Sequence, residues 1–465
     1  MNPGLFISYF FLFIINSLFF IICYYFDFQF DIDLVIFISC ISILTIAYHF
    51  LFFEKNLLSI INIFNSFSIL FLYGNVINYV LFNIDSFHIY YLMEGINIPS
   101  KHFISSLFLI NLGLSLINLV YLKFTRSDNG IILGNKIPKD IMVLYIITSF
   151  VTAVKYFLEL KHISNIGYVQ FYMNGLGDLN YYSPIIKYSH TFLIVFYSII
   201  LSYSPKKKVY IFISIIFCLL MMLNSLKGAR VLFLLPFLFS LWYYFKNYSR
   251  LTLSGNIFSI ITVSLILVIG FNTLKASRLN EESSILNIGD LPSLILNETG
   301  STQKLIAVFL SKRTEIDSNY PFVLEPILYP LFYINNINVF KGGHSEDLAK
   351  TRNSLNHKIS FLLNPSYYLN GNAVGSSIFA ESFQYGLPFF YLVMILFGRF
   401  LSSIQNITFN SKFIIFLPLL FNAAVFAARD SPFPNTWLLV KVAFVTAVFY
   451  FFRNILKYNS NSNRA

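Results

Sequence analysis

Residues 5–26 read LFISYFFLFIINSLFFIICYYF, with no charged side chain. A helix needs about 20 such residues to cross the hydrocarbon core of a bilayer. The run is too long for a signal-peptide core and lacks a basic start and a small-residue cleavage site. It reads as a first transmembrane helix. Similar runs recur along the 465 residues, near 34–53, 57–82, 103–124, 141–160, 184–203, 209–226, 230–245, 256–274, 378–400, 412–428 and 433–452.

Composition agrees. The chain is 57% hydrophobic and 11% charged, against roughly 25% charged in soluble domains. So few polar side chains cannot coat a soluble particle, and the strict alternation of an outer-membrane barrel is absent. The expected fold is an all-α polytopic membrane protein of about twelve transmembrane helices, forming a single membrane domain over 1–465. Cys23, Cys40 and Cys218 all lie inside apolar runs without metal-ligand spacing, so they read as small core hydrophobes.

The formal charge of +11 points to membrane orientation and not to nucleic acid. Lys55, Lys123, Arg126, Lys136, Lys139, Lys206, Lys207, Lys208, Lys246, Arg250, Arg399, Lys412, Arg453, Lys457 and Arg464 fall on one side of the spans. Asp27, Asp31, Asp33, Asp85, Glu94 and Asp178 fall on the other. The positive-inside rule then places both termini in the cytoplasm and leaves one large loop, 275–377 between spans 9 and 10, on the outer face. That loop carries nine Lys/Arg and nine Asp/Glu. Its apolar middle, 320–340, is punctuated by Pro321, Pro326 and Pro330 and suits a short interfacial or re-entrant helix.

Charges at the outer face are not explained by topology, so they are the candidates for chemistry. Lys227-Gly-Ala-Arg230 occupies a tight turn whose following helix N-terminus favours anions; the ordinary alternative is a snorkelling arginine. Arg278 follows the ninth span. Arg429-Asp430 precedes the last, where Arg429 either contacts substrate or pairs with a carboxylate. Lys441 lies about two turns inside the last span, where an ionised group usually faces a filled cavity. Lys155 has Glu159 at i+4 as a local partner. Residues 371–386, GNAVGSSIFAESFQYG, lead into a span with Glu381 about one turn inside. Regular helix would put Ser377, Glu381 and Tyr385 on one face beside Ser376. Glu381 is either a general base or the holder of an arginine. His344 and His357 are loop histidines able to act as bases near neutral pH. No metal spacing and no nucleotide-binding glycine pattern is present, so neither metal nor cofactor is expected.

The Gly-Ser-Ser…Ala-Glu…Gly pattern of 371–386, the later Arg429-Asp430-Ser431 turn and one dominant late outer loop resemble Wzy-type O-antigen polymerases. The family's Arg-x10-Gly spacing is met from Arg278 to Gly289, while 161–183 offers no second copy. The resemblance implies a membrane glycosyltransferase in the bacterial inner membrane. Its substrates would be repeat units linked to undecaprenyl pyrophosphate, and its partner a chain-length-regulating membrane protein. It further implies a cationic clamp for the leaving pyrophosphate, drawn from Arg230, Arg278, Arg429, Arg352 or Lys441, and a base, Glu381 or a loop histidine. Tyr320, Tyr329, Tyr333, Tyr367 and Tyr368 would offer sugar-stacking surfaces. An O-antigen ligase shares the donor. A lipid-linked oligosaccharide flippase shares the number of spans but has no use for the loop, and the paired broken spans of a secondary transporter are not evident.

Overall fold

Away from water every backbone donor must find an acceptor within its own segment, so long apolar runs fold as helices. The computed structural model is helical accordingly, with no β-strand among the described residues. These are residues 3–52, 58–82, 100–126, 137–166, 183–227, 231–248, 291–328, 331, 344–371, 373–407, 412–431 and 436–462. The first half holds α1 (Pro3–Tyr25), α2 (Ile32–Phe52), α3 (Ile60–Leu72), α4 (Gly74–Phe82), α5 (Ser100–Phe124), α6 (Lys139–Ile166), α7 (Pro184–Ser202), α8 (Lys207–Ser225) and α9 (Val231–Asn247). Then come α10 (Leu291–Thr299), α11 (Ser301–Lys312), α12 (Glu346–Thr351), α13 (Leu355–Leu363) and α14 (Pro365–Leu369). The last part holds α15 (Ile378–Ser382), α16 (Leu387–Asn406), α17 (Leu417–Phe426) and α18 (Thr436–Ser462).

Among the described residues seven helices, α1, α2, α5, α6, α7, α8 and α16, are long and apolar enough to cross a membrane. The pair α3–α4 adds an eighth if taken as one span bent by 66°. The stretches 412–428 and 433–452 carry the shorter apolar helices Phe413–Phe426 and Leu438–Phe451. The expected span at 256–274 lies outside the described residues.

Two expectations need correction. The run at 57–82 is not one straight helix, because Gly74 sits where a Cβ would come within 2.6 Å of the Leu296 carbonyl. Only a bend with glycine there lets α10 and Gly300 approach. The run at 378–400 is also broken: α15 gives way to a 3-10 turn, Phe383–Tyr385, and then to Gly386 at φ 86°. That left-handed backbone suits glycine, and Pro388 starts the new helix α16. Glu381 therefore precedes the span. Tyr385 is half exposed while Ser377 and Glu381 are buried, so the three do not share a face.

Helix α5 is the axis. Its apolar window is 89% buried, against 28% for α1 and α6, whose exposed Phe10, Phe11, Phe150 and Phe157 present apolar faces outward. Packed on α5 are α1, α16 and α11. Small residues allow the close approach: at Gly398 of α16 a Cβ would lie 2.8 Å from the Ile117 carbonyl of α5. Part of the polar 275–377 stretch is also core, for Leu305, Ile306, Val308 and Phe309 of α11 are buried. Gln303 donates to Ser106 on α5 at 2.8 Å, and Asn75 donates to the Gly300 carbonyl at 2.8 Å.

The two ends of the bundle differ. At one, the C-termini of α5, α9 and α16 converge. Lys246 donates to the Gln405 and Ile407 carbonyls at 2.6 and 3.1 Å, and Arg399 stacks 4.2 Å from the Phe124 ring centroid. Cations belong at helix C-termini, where orphan carbonyls gather. The candidate site lies at the opposite end.

Candidate functional site

The stretch 371–386 and the turn after α17, about fifty residues apart in sequence, form one unit. A helix C-terminus leaves carbonyls without partners and a helix N-terminus leaves N–H groups; here each end helps satisfy the other. Ile378 N–H donates to Ala427 O at 3.0 Å, and the Ser377 hydroxyl to Ala428 O at 2.8 Å. The same hydroxyl accepts from Phe379 N–H at 3.3 Å and so caps α15. Gly375, at φ 90°, brings the backbone against the Arg429 carbonyl, 3.4 Å from where a Cβ would stand.

Glu381 is the centre of this junction. It is 2% exposed, and the hydroxyls of Ser376 and Ser431 donate to its two oxygens at 2.7 and 2.9 Å. Burial pushes its carboxyl up to about 8; the two serine bonds oppose that shift, and the charges of Asp430 and Glu325 reinforce it. A neutral Glu381 at pH 7 acts as a buried clasp across the two motifs. Asp430, next to it, is half-buried and accepts from the Ser431 N–H at 2.8 Å. Burial raises its carboxyl above the ordinary value, against the lowering effects of Ser431 and Arg429. Arg429 is exposed, with its guanidinium 5.0 Å from the Phe71 ring centroid.

A second arm reaches this unit from α13. Asn356 accepts from Gly375 N–H and Ser360 from Val374 N–H, both at 3.0 Å. From the same helix His357 meets Arg352, which in turn donates to Glu325 at 2.8 Å. Arginine can only donate, so the 3.2 Å contact makes His357 Nε2 the acceptor and leaves the proton on Nδ1. That proton then points at the Tyr368 oxygen, 2.9 Å away. Burial first, then the charge of Arg352, pulls His357 down to about 3, so its ring is neutral. With its lone pair engaged, His357 orients Arg352. His344 packs alongside, 4.6 Å from the Tyr368 ring centroid.

Behind the junction lies a cavity of about 280 Å3 between α7, α8, α9, α17 and α18. Ile194, Phe217, Met221 and Phe239 give it an apolar wall, and His190, Asn224, Asn422 and Asp430 mark its polar points. The buried Asn422 Oδ1 has no hydrogen-bond partner among the described residues. Around His190 the lysines gather. Lys227 pairs with Glu159 at 2.6 Å and lies 4.8 Å from the Tyr156 ring centroid. Lys155, 3.9 Å from Glu159, donates to the Lys187 carbonyl at 2.9 Å. Lys441 stands 5.9 Å from the Tyr188 ring centroid.

Sequence reasoning thus finds two motifs that do come together and two lysines, Lys227 and Lys441, that do share a cluster. Arg230 and Arg278 lie outside the described residues, as do Tyr329 and Tyr333. Asp430, which the sequence offers as part of the Arg429-Asp430-Ser431 turn and not as a site residue, lines the cavity. Lys155 was set aside for its i+4 partner, although Glu159 lies closer to Lys227. His190 carried no signal, since one histidine in an apolar run has no spacing to interpret.

A search of curated proteins finds no match, and neither does a search of solved structures. A family model described as O-antigen polysaccharide polymerase Wzy matches residues 5–459, nearly the whole chain. The chain belongs to the O-antigen polysaccharide polymerase Wzy family, a multi-pass membrane enzyme family of polysaccharide biosynthesis.

Proposed function

We propose that the protein extends O-antigen at the periplasmic face of the bacterial inner membrane, with undecaprenyl-pyrophosphate-linked repeat units as substrates and both termini in the cytoplasm. The observation that carries this reading is Asp430. It lies beside Ser431, which donates to Glu381 of the other family-like motif, and it lines an apolar cavity. In the reaction an acceptor sugar hydroxyl forms a new C–O bond at the anomeric carbon of the growing chain. The bond from that carbon to the pyrophosphate oxygen breaks, and its electron pair leaves with the lipid pyrophosphate. Asp430 takes the hydroxyl proton. Arg429, with Arg230 and Arg278 from the flanking segments, offsets the charge that develops on the leaving group. Glu381, Ser376 and Ser377 hold the Asp430 turn in place, and Arg352, oriented by His357, faces the sugars with Tyr367. A membrane protein that regulates chain length is a fitting partner.

Deleting the gene from a smooth, O-antigen-producing bacterium tests the reading on a lipopolysaccharide gel. The expected result is core capped by one repeat unit, with the ladder restored by the cloned gene. Core without any unit would instead point to ligation or flipping, and an unaltered ladder would refute all three.

A further inference from the structure

We infer that Gln384 is a positioning residue, whose side chain ties the 318–322 segment to the Glu381 motif and so fixes the place of Arg352 relative to the junction. This rests on the polymerase reading above, in which Arg352 faces the substrate.

Three observations carry it. The first is the pairing of Gln384 itself. It is 8% exposed, and both ends of its amide engage one segment 62 to 66 residues earlier. Its Oε1 accepts from the Phe322 N–H at 2.7 Å, and its Nε2 donates to the Ser318 hydroxyl and, at 3.4 Å, to the Tyr320 carbonyl. Residues 317–321 are neither helix nor strand, so their backbone groups need partners from elsewhere in the chain. Gln384 supplies them. The chain just before this segment grips back. Arg313 Nε donates to the Gln384 carbonyl at 2.9 Å, and its guanidinium lies 5.1 Å from the Phe383 ring centroid.

The second is where the segment leads. Asn353, 4% exposed, donates to the same Tyr320 carbonyl at 2.8 Å and accepts from the Asn319 N–H at 3.0 Å. It follows Arg352 directly in the chain, and Glu325, which accepts from Arg352 at 2.8 Å, follows Phe322 by three residues. Two buried amides, Gln384 and Asn353, therefore share one carbonyl, and the Arg352–Glu325 pair is the next link along the chain.

The third is closure. Asn356 and Ser360 of α13 hold Gly375 and Val374, and Ser376 donates to Glu381. The path from Gln384 through 318–322, Asn353 and α13 thus returns to α15 and the turn from which it started. In a closed ring the remaining contacts hold the fold when one link is cut, while the geometry across the cut relaxes. Loss of the Gln384 link is expected to move Arg352 and leave the Glu381 junction assembled.

Gln384→Met, similar in length but unable to make these hydrogen bonds, tests the link in the full-length protein in phosphatidylcholine nanodiscs. Amide hydrogen exchange should speed up about tenfold in peptides covering 318–325, with peptides of α5 unchanged. In elongation of lipid-linked repeat units extracted from the deletion strain, KM should rise about tenfold with kcat within about twofold. Arg352→Met should raise KM to a similar extent, and the double variant no further, because both act through one contact. Asn353→Leu cuts the segment from its other side. It should reproduce both changes, and it stands in if Gln384→Met does not fold. Unchanged exchange overturns the tie whatever the activity. Faster exchange with KM unchanged, a fall in kcat alone, or effects additive with Arg352→Met overturns the positioning role. Elongation absent from the parent protein overturns the polymerase reading and the positioning role with it, while exchange still decides the tie itself.

Discussion

The core around α5 and the junction around Glu381 both bury polar groups, but of different kinds. In the core they are neutral. Asn65 and Asn118 donate to each other at 2.9 and 3.2 Å, and Asn111 donates to Ser39 at 3.3 Å. Tyr73 donates to Asn111, and Ser115 to the Asn111 carbonyl at 2.7 Å. Neutral amides satisfied by amides hold helices together at low cost where no water competes. At the junction and its cavity the groups are ionisable: Glu381, Asp430, Lys155, Glu159, Lys227 and Lys441. Burying such groups is expensive unless a partner or ligand repays it. The contrast separates neutral from ionisable burial, and it can be broken by substitution.

The largest effect is expected at Asp430. Asp430→Asn keeps the volume and removes the proton acceptor, so chain extension should fall about 100-fold or more while the melting temperature stays within a degree or two. Gel densitometry of long chains against single-unit core, with a melt of the purified protein, reads both. A large loss of stability with activity retained in the folded fraction would give Asp430 a structural role alone.

The reverse pattern is expected in the core. Asn118→Ala leaves the Asn65 amide unmatched and should cost about 1–2 kcal/mol, read as a lower melting temperature. The folded fraction should polymerise at the normal rate. Asn65→Leu combined with Asn118→Leu should recover part of the loss, because replacing both partners by apolar groups removes the unmet hydrogen bond.

How much of this was legible in the sequence follows from the length scale of each signal. Membrane class rests on runs of about 20 residues and reads directly from 5–26 onward; the expected twelve spans are not matched one for one, since seven or eight helices of spanning length are present among the described residues. The break at Gly386 was missed because 378–400 is apolar throughout; what decides it is one left-handed residue with Pro388 two positions on. The union of 371–386 with 429–431 was approached only through family likeness, since nothing local says that the Ser377 hydroxyl will meet Ala428. The lysine cluster draws on four segments, 155–159, 187–190, 227 and 441, and Lys155 shows why local pairing misleads. Its i+4 partner Glu159 is shared with Lys227, on a different helix and closer. Burial of α11 was also hidden, because a twelve-residue helix holding Thr302, Gln303 and Lys304 looks soluble until Gln303 finds Ser106.

The effect that separates the two regions most cleanly is pH. Core amides do not titrate, so their contribution to stability is flat. Glu381 does titrate, with its carboxyl raised from the ordinary 4.5 to about 8. The folded state holds that proton more tightly than the unfolded chain, so the protonated clasp favours folding. Its contribution is fully present below about pH 4.5 and is lost as pH rises through about 8. The melting temperature in detergent should therefore decline between pH 5 and pH 8.5 by a few degrees beyond the background trend. Glu381→Gln, which keeps hydrogen-bonding groups towards Ser376 and Ser431 without a proton to lose, should flatten that slope. Asn118→Ala should lower the whole curve and leave its slope unchanged. A Glu381→Gln curve parallel to that of the parent protein would mean that the clasp is already ionised in the folded state, and that its charge is balanced by a cation.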